Sequence, residues 1–209
     1  MALVKLNNRG VRSATTFGSI SALGSMIFIK KRTASSDSEL SFVDGTDDVV
    51  LDDTYKEYLF TFNNMHPSAT TGNPVLSFQG NAAGGSGYDE TMTTTHWRTG
   101  HNEDDSDQFL SYNTGGDQAE GTGFQQIVDG DTGGDNDQSC AGYLHLFNPS
   151  STTFVKHFIS TTHSSAANDV TRQTFNAGYF NTTSAIDEIQ FKFSTGNIDA
   201  GDICLYGIN

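Results

Sequence analysis

Short runs in which apolar residues recur at every second position dominate the chain from residue 25 onward. The clearest is IDEIQFKF, which places Ile189, Phe191 and Phe193 on one face of an extended segment. A period of two is typical of a half-buried β-strand and not of an α-helix. A second run, TYKEYLFTFNNMHP, is rich in aromatic residues and is closed by Pro67. The pattern predicts antiparallel strands joined by turns.

Ten or eleven such strand candidates follow one another at spacings of roughly 10–15 residues, with turn signals between them. A length of 209 residues suffices for one large all-β domain. The sequence therefore predicts an all-β fold, an antiparallel β-sandwich of jelly-roll type, over residues 25–209. The region between residues 100 and 139 is the hardest to assign, because TGFQQIV fits one turn of helix as well as a strand.

Residues 1–24 differ from the rest and predict an extended basic N-terminal arm. Gly10, Gly18 and Gly24, together with many Ser and Thr residues, disfavour a helix there. Residues 1–32 hold six basic residues and no acidic residue, whereas residues 33–209 hold 5 basic and 25 acidic residues, a formal charge of −20. The basic run at residues 30–32 ends the first strand and fits a sheet edge, where lysine discourages stray pairing.

The arm carries Lys5, Arg9 and Arg12, which we expect to contact another chain through charge complementarity. Two alternatives stay open: the arm folds back on its own acidic body, or it has no partner. An acidic body repels nucleic acid and anionic lipid, so neither is an expected partner. No run of 18 apolar residues and no signal-peptide core is present.

The sequence shows none of the usual catalytic signatures. Gly-x-Ser-x-Gly, Walker, His-Glu-x-x-His and Cys-x-x-Cys motifs are missing, so no enzymatic activity and no cofactor are expected. His145 and His157 flank a hairpin, but no third metal ligand is evident. The alternative to the absence of a metal is a calcium ion bound by the acidic loop Asp129–Asp137. Cys140 and Cys204 lie in apolar contexts that predict buried thiols, with a disulfide between them left open.

Three aromatic residues border the polar middle of the chain and are candidates for contact with a glycan: Tyr88, Trp97 and Tyr112. Exposed aromatic rings on a β-sandwich can stack against sugars. The alternative is that these rings pack into the core or its rim.

Four segments, KLNNRGVRSATTFGS, DDTYKEYLFTFNNMHP, GYLHLFNPSSTTFVKHF and AGYFNTTSAIDEIQFKFSTGNIDAGDICLYGIN, resemble small virion structural proteins of marine tailed bacteriophages, of cyanophage and pelagiphage type. The resemblance covers the chain from Val4 to Asn209. It implies a particle component, either in the tail and host-adsorption apparatus or on the head, and it supplies no catalytic residues. It also implies a location in the virion, and in the host cytoplasm during assembly.

We therefore expect a tail or fibre-type appendage protein involved in host adsorption and anchored by its basic arm. We expect it to form a homo-oligomer, with a trimer as the first candidate, and to bind other virion proteins. We also expect it to contact a host surface glycan. A head decoration protein is the alternative within this class. A carbohydrate-binding or glycan-cleaving β-sandwich module is the alternative from another class.

Overall fold

The computed structural model describes residues 25–130 and 132–209, which fold into two antiparallel β-sheets around one hydrophobic core. The predicted arm, with Lys5, Arg9 and Arg12, lies outside the described residues and stays a prediction. The described part of the chain contains no helix, and so none that is long and apolar enough to cross a membrane. The predicted all-β fold is confirmed.

Twelve strands build the two sheets. In chain order they are β1 (Met26–Thr33), β2 (Leu40–Val43), β3 (Glu57–Pro67), β4 (Leu76–Ala82), β5 (Met92–Asn102), β6 (Gln108–Tyr112), β7 (Gln125–Gln126), β8 (Cys140–Phe147), β9 (Lys156–Ala166), β10 (Val170–Phe180), β11 (Ile186–Phe193) and β12 (Ile198–Ile208). The large sheet has the order β1-β12-β3-β8-β9-β10-β5-β6, and the small sheet has the order β2-β11-β4-β7. The segment TGFQQIV contributes the two-residue strand β7 and no helical turn.

Aromatic side chains fill the space between the sheets. Phe191 lies at the centre, with its ring centroid 5.2 Å from those of Phe60 and Phe62, both packed edge to face. Ile189, Phe191 and Phe193 are all buried, as their spacing of two predicts. The alternation that identified β11 thus also identifies the residues that join the sheets.

Strand β1 forms one edge of the large sheet, as its terminal basic run predicts. Lys31 Nζ lies 3.2 Å from Asp202 Oδ2, and Arg32 Nη1 lies 3.0 Å from Asp47 Oδ2. Charged side chains at an edge strand oppose pairing with strands of other molecules. This end of the sheet is therefore closed to further strands.

The large sheet has two faces of different chemistry. Its inner face packs against the small sheet, and toward the centre of β5, β9 and β10 it carries buried polar side chains that hydrogen-bond to the segment 113–129. We call the opposite face, which is turned away from the small sheet, the outer face. Along β8 and β9 the burial alternates residue by residue, so every second side chain points to the outer face.

Candidate functional site on the outer face

The outer face carries very little negative charge. Of the 25 acidic residues of the chain, none lies on β5, β6, β8, β9 or β10. On the remaining strands of the large sheet only Glu57, Asp199 and Asp202 are acidic. Most of the others lie in the loops that join the strands. An approaching molecule therefore meets weaker electrostatic attraction or repulsion at the outer face than at the acidic loops.

Three aromatic side chains lie side by side on this face, near the edge of the sheet that β6 forms. The register places Trp97 of β5 directly opposite Phe175 of β10 and Tyr112 of β6. The rings of Trp97 and Phe175 are stacked, with centroids 4.1 Å apart and planes at 11°. Trp97 is 40% exposed and Tyr112 is 51% exposed. We call these three residues, with the exposed Leu110 beside them, the aromatic platform.

Polar groups surround the aromatic platform. The Tyr112 hydroxyl donates a hydrogen bond to Asp117 Oδ2 at 2.6 Å, which raises the pKa of the phenol and keeps it protonated as a donor. Beside Trp97 a groove of about 490 Å³ is lined by Thr99, His163 and Gln173, among others. Aromatic rings can stack on the C–H faces of a sugar while such polar groups bind its hydroxyls. The arrangement therefore suits a glycan.

Directly beneath the platform, the inner face holds a buried charge cluster centred on Asp129. Arg98 Nη1 donates to Asp129 Oδ2 at 2.5 Å, and Asn113 Nδ2 donates to Asp129 Oδ1 at 2.6 Å. His96 Nε2 lies 3.3 Å from Oδ1, and Arg172 Nη1 lies 3.9 Å from Oδ2. The cluster joins β5 and β10, the strands that carry Trp97 and Phe175, to the segment 113–129.

The cluster fixes the ionisation state of Asp129. Burial alone would raise the pKa of this carboxyl, but the His96 imidazole 3.3 Å away, hydrogen bonds from Arg98 and Asn113, and the charge of Arg98 outweigh burial and lower it to about 2. Gly130 beside it has a φ of +70°, which favours glycine, and a Cβ there would displace the Arg172 guanidinium, whose Nη1 would lie 1.3 Å away. Asp129 thus pairs with Arg98, and Gly130 leaves room for the Arg172 side chain.

The pair His96 and Asp129 has the composition of an acid–base pair, and a cavity of about 540 Å³ is lined by Asp129, Arg98 and Arg172, among others. Both side chains are at most 1% exposed. The backbone of Gly116 lies directly against the imidazole, since a Cβ there would be 2.6 Å from His96 Nδ1. A catalytic pair must reach the proton it transfers. At their present burial the two side chains do not reach solvent, and the contacts shown by the cluster are those that tie β5 and β10 to Asp129.

The structure brings two of the three predicted aromatic residues together and separates the third. Trp97 and Tyr112 are neighbours on the outer face. Tyr88 lies at the small sheet instead, where its hydroxyl donates to Glu188 Oε2 of β11 at 2.9 Å. Phe175, which stacks on Trp97, was not predicted. Its signal is the alternation in TRQTFNAGYF, which places it on one face of β10 with Gln173 and Tyr179.

The other candidate residues lie as follows. His145 and His157 both point to the outer face, and the described ranges contain no group of three His, Cys, Asp or Glu side chains placed to hold a metal ion. In the predicted calcium loop Asp129 is paired with Arg98, and residue 131 lies outside the description. Cys140 and Cys204 are both free thiols, the first buried and the second partly exposed.

Comparison of the chain with protein-family models, with curated proteins and with solved structures identified no match.

Proposed function

We propose that the chain is a structural protein of a bacteriophage particle, of the tail or fibre type, that contacts a glycan of the host surface through the aromatic platform. The observation that carries this proposal is the position of Trp97 and Tyr112, exposed and adjacent on strands that carry no carboxylate, with the loop residue Asp117 at the Tyr112 hydroxyl. The proposed location in a phage particle is based on the resemblance of the sequence to phage virion proteins. We propose no catalytic role.

We also propose that the fold is a jelly roll extended by two inserted hairpins. Without β5, β6, β9 and β10, the two sheets have the orders β1-β12-β3-β8 and β2-β11-β4-β7. This is the four-on-four arrangement of two Greek keys that defines a jelly roll, an architecture used by viral capsid proteins and lectins. The platform residues Trp97, Tyr112 and Phe175 all lie on the added strands, as expected of a site grafted onto a common fold.

The first prediction concerns Trp97→Ala. We expect it to weaken glycan binding by about thirtyfold or more, because a stacked, central aromatic side chain contributes about 2 kcal/mol at a binding hot spot. The measurement is binding of the full chain to an array of neutral and acidic oligosaccharides, followed by titration of those that bind.

The matched control for Trp97→Ala is Phe154→Ala, which removes an aromatic side chain that is 67% exposed in the loop between β8 and β9. We expect this control to bind as the unchanged chain does. A chain that binds no glycan on the array would contradict host adsorption through the platform and favour a head decoration protein. Release of sugar from the array would instead favour the glycan-cleaving alternative.

The second prediction concerns the arm. Replacing Lys5, Arg9 and Arg12 together by Ser should prevent incorporation of the chain into particles, because these charges would steer the arm onto another virion protein. The melting temperature of the body should not change. Normal incorporation of the triple variant, measured by mass spectrometry of purified particles, would show that the arm is not the anchor.

A further inference from the structure

A row of mainly apolar side chains crosses the half of the outer face that lies away from the platform. The register aligns Phe28, Tyr206, Leu59, His145 and Ile159 on the neighbouring strands β1, β12, β3, β8 and β9. At about 4.8 Å per strand the row spans roughly 19 Å. Phe28 is 57% exposed and Ile159 is 48% exposed, although both are apolar.

Further aromatic side chains widen this row into a patch. A shallow depression of about 700 Å³ is lined by Leu59, Tyr143, Phe147 and Ile159, among others. Phe28 and Tyr206 pack edge to face at the other end, with centroids 5.7 Å apart. We call the following six residues the apolar patch: Phe28, Leu59, Tyr143, Phe147, Ile159 and Tyr206. An exposed apolar surface of this extent on a soluble domain marks an interaction site.

We propose that the apolar patch is the surface through which a second copy of this chain binds. Each copy carries a formal charge of −20 over residues 33–209, so two copies repel each other over most of their surfaces. The patch is where this repulsion is weakest. The carboxylates nearest to it are Glu57, at the end of β3, and Asp202, which is neutralised by Lys31 at 3.2 Å.

The chemistry of the patch favours a copy over the other occupants. A basic partner protein would be drawn to the acidic loops more than to a face whose nearest carboxylates are Glu57 and the ion-paired Asp202. A glycan needs many hydrogen-bonding groups, whereas the six residues of the patch offer mainly apolar and aromatic surface, with Thr61, Asn63 and His145 as the polar groups lining the same depression. Five strands at about 4.8 Å spacing, of which β1 and β8 are eight residues or about 26 Å long, present roughly 600 Å² of outer face with its polar positions included, somewhat below the ~800 Å² per partner that stable interfaces bury.

Self-association and glycan binding use adjacent parts of the outer face. Ile159 on β9 lies one strand from Phe175 of the platform, whereas Leu59 and Phe28 lie farther away. Four strand spacings, about 19 Å, separate Leu59 on β3 from Trp97 on β5. The two properties can therefore be tested separately, and the failure of one does not imply the failure of the other.

A charge-swap experiment on the full chain tests this proposal. Sedimentation velocity over a wide range of concentrations measures the extent of association. The unchanged chain should sediment as a multiple of its 22.5 kDa mass. Ile159→Asp and Ile159→Lys should each weaken association by about tenfold or more, because like charges then face each other across the contact. An equimolar mixture of the two variants should associate again.

Three comparisons complete this test. Phe154→Asp, outside the patch, and Trp97→Ala, on the platform, should both associate as the unchanged chain does. Tyr143→Asp should dissociate the copies as Ile159→Asp does, which provides a second variant at a position that is also exposed. The proposal is wrong if the unchanged chain is a monomer throughout, or if both patch variants associate normally. It is equally wrong if Phe28→Asp, at the end of the patch farthest from the platform, abolishes glycan binding of a monomeric chain, since the patch would then hold the glycan.

Discussion

Replacing Asp129 by Asn is expected to lower the free energy of unfolding by about 3–5 kcal/mol, because removing one partner of a buried ion pair leaves the opposite charge uncompensated. The Asp129 side chain is 1% exposed and faces Arg98 at 2.5 Å and Arg172 at 3.9 Å. Arg98 is a third exposed, so water screens part of the effect and the lower end of the range is expected. Urea denaturation followed by circular dichroism measures this difference.

The same variant should remove a pH dependence. The pKa of Asp129 in the folded chain is lowered to about 2 from an ordinary value of 3.8, so the carboxylate stabilises the fold above about pH 4, and this contribution is lost as the pH falls toward 2. The difference in stability between the unchanged chain and Asp129→Asn should therefore shrink over that range. Asp137→Asn, an exposed position in the same acidic segment, is the control and should be nearly neutral. Equal losses in the two variants would show that the cluster does not stabilise the fold.

Replacing Phe191 by Ala is expected to cost about 3–5 kcal/mol of unfolding free energy, because it removes a fully buried ring and leaves a cavity between the sheets. Phe191 contacts Phe60 and Phe62 of the opposite sheet, so the loss falls on the packing that joins the two layers. Phe191→Leu retains much of the volume and should cost less. A loss for Phe191→Ala no greater than that for Phe154→Ala would contradict this description of the core.

The strands and the core were predictable because their signal is local. The alternation in IDEIQFKF depends only on the two-residue period of an extended chain, and it identified both the strand β11 and its buried residues. The basic end of β1 was likewise a local signal for an edge. The prediction of a sandwich needed nothing further than this period and the spacing of the turns.

The charge cluster and the apolar patch could not be predicted in this way. His96 and Arg98 of β5 meet Asp129 through the return of the segment 113–129, and the pairing of β5 with β10 adds Arg172; no local pattern encodes either. In the sequence Asp129 was one of several acids in an apparently solvated loop. The apolar patch depends in the same way on the register of five strands. Tyr88 was grouped with Trp97 and Tyr112 as a glycan candidate, because its neighbours in sequence gave no sign that it lies at the small sheet.

The most direct test of the central claim uses Trp97, the only tryptophan of the chain. Its fluorescence reports on the aromatic platform alone, because no other indole contributes. Titration with an oligosaccharide that binds the full chain should shift the emission to shorter wavelengths, saturably and with the affinity measured independently, as a sugar ring displaces water from the indole. An emission spectrum that stays unchanged while the oligosaccharide is bound would place the binding site elsewhere and contradict the account.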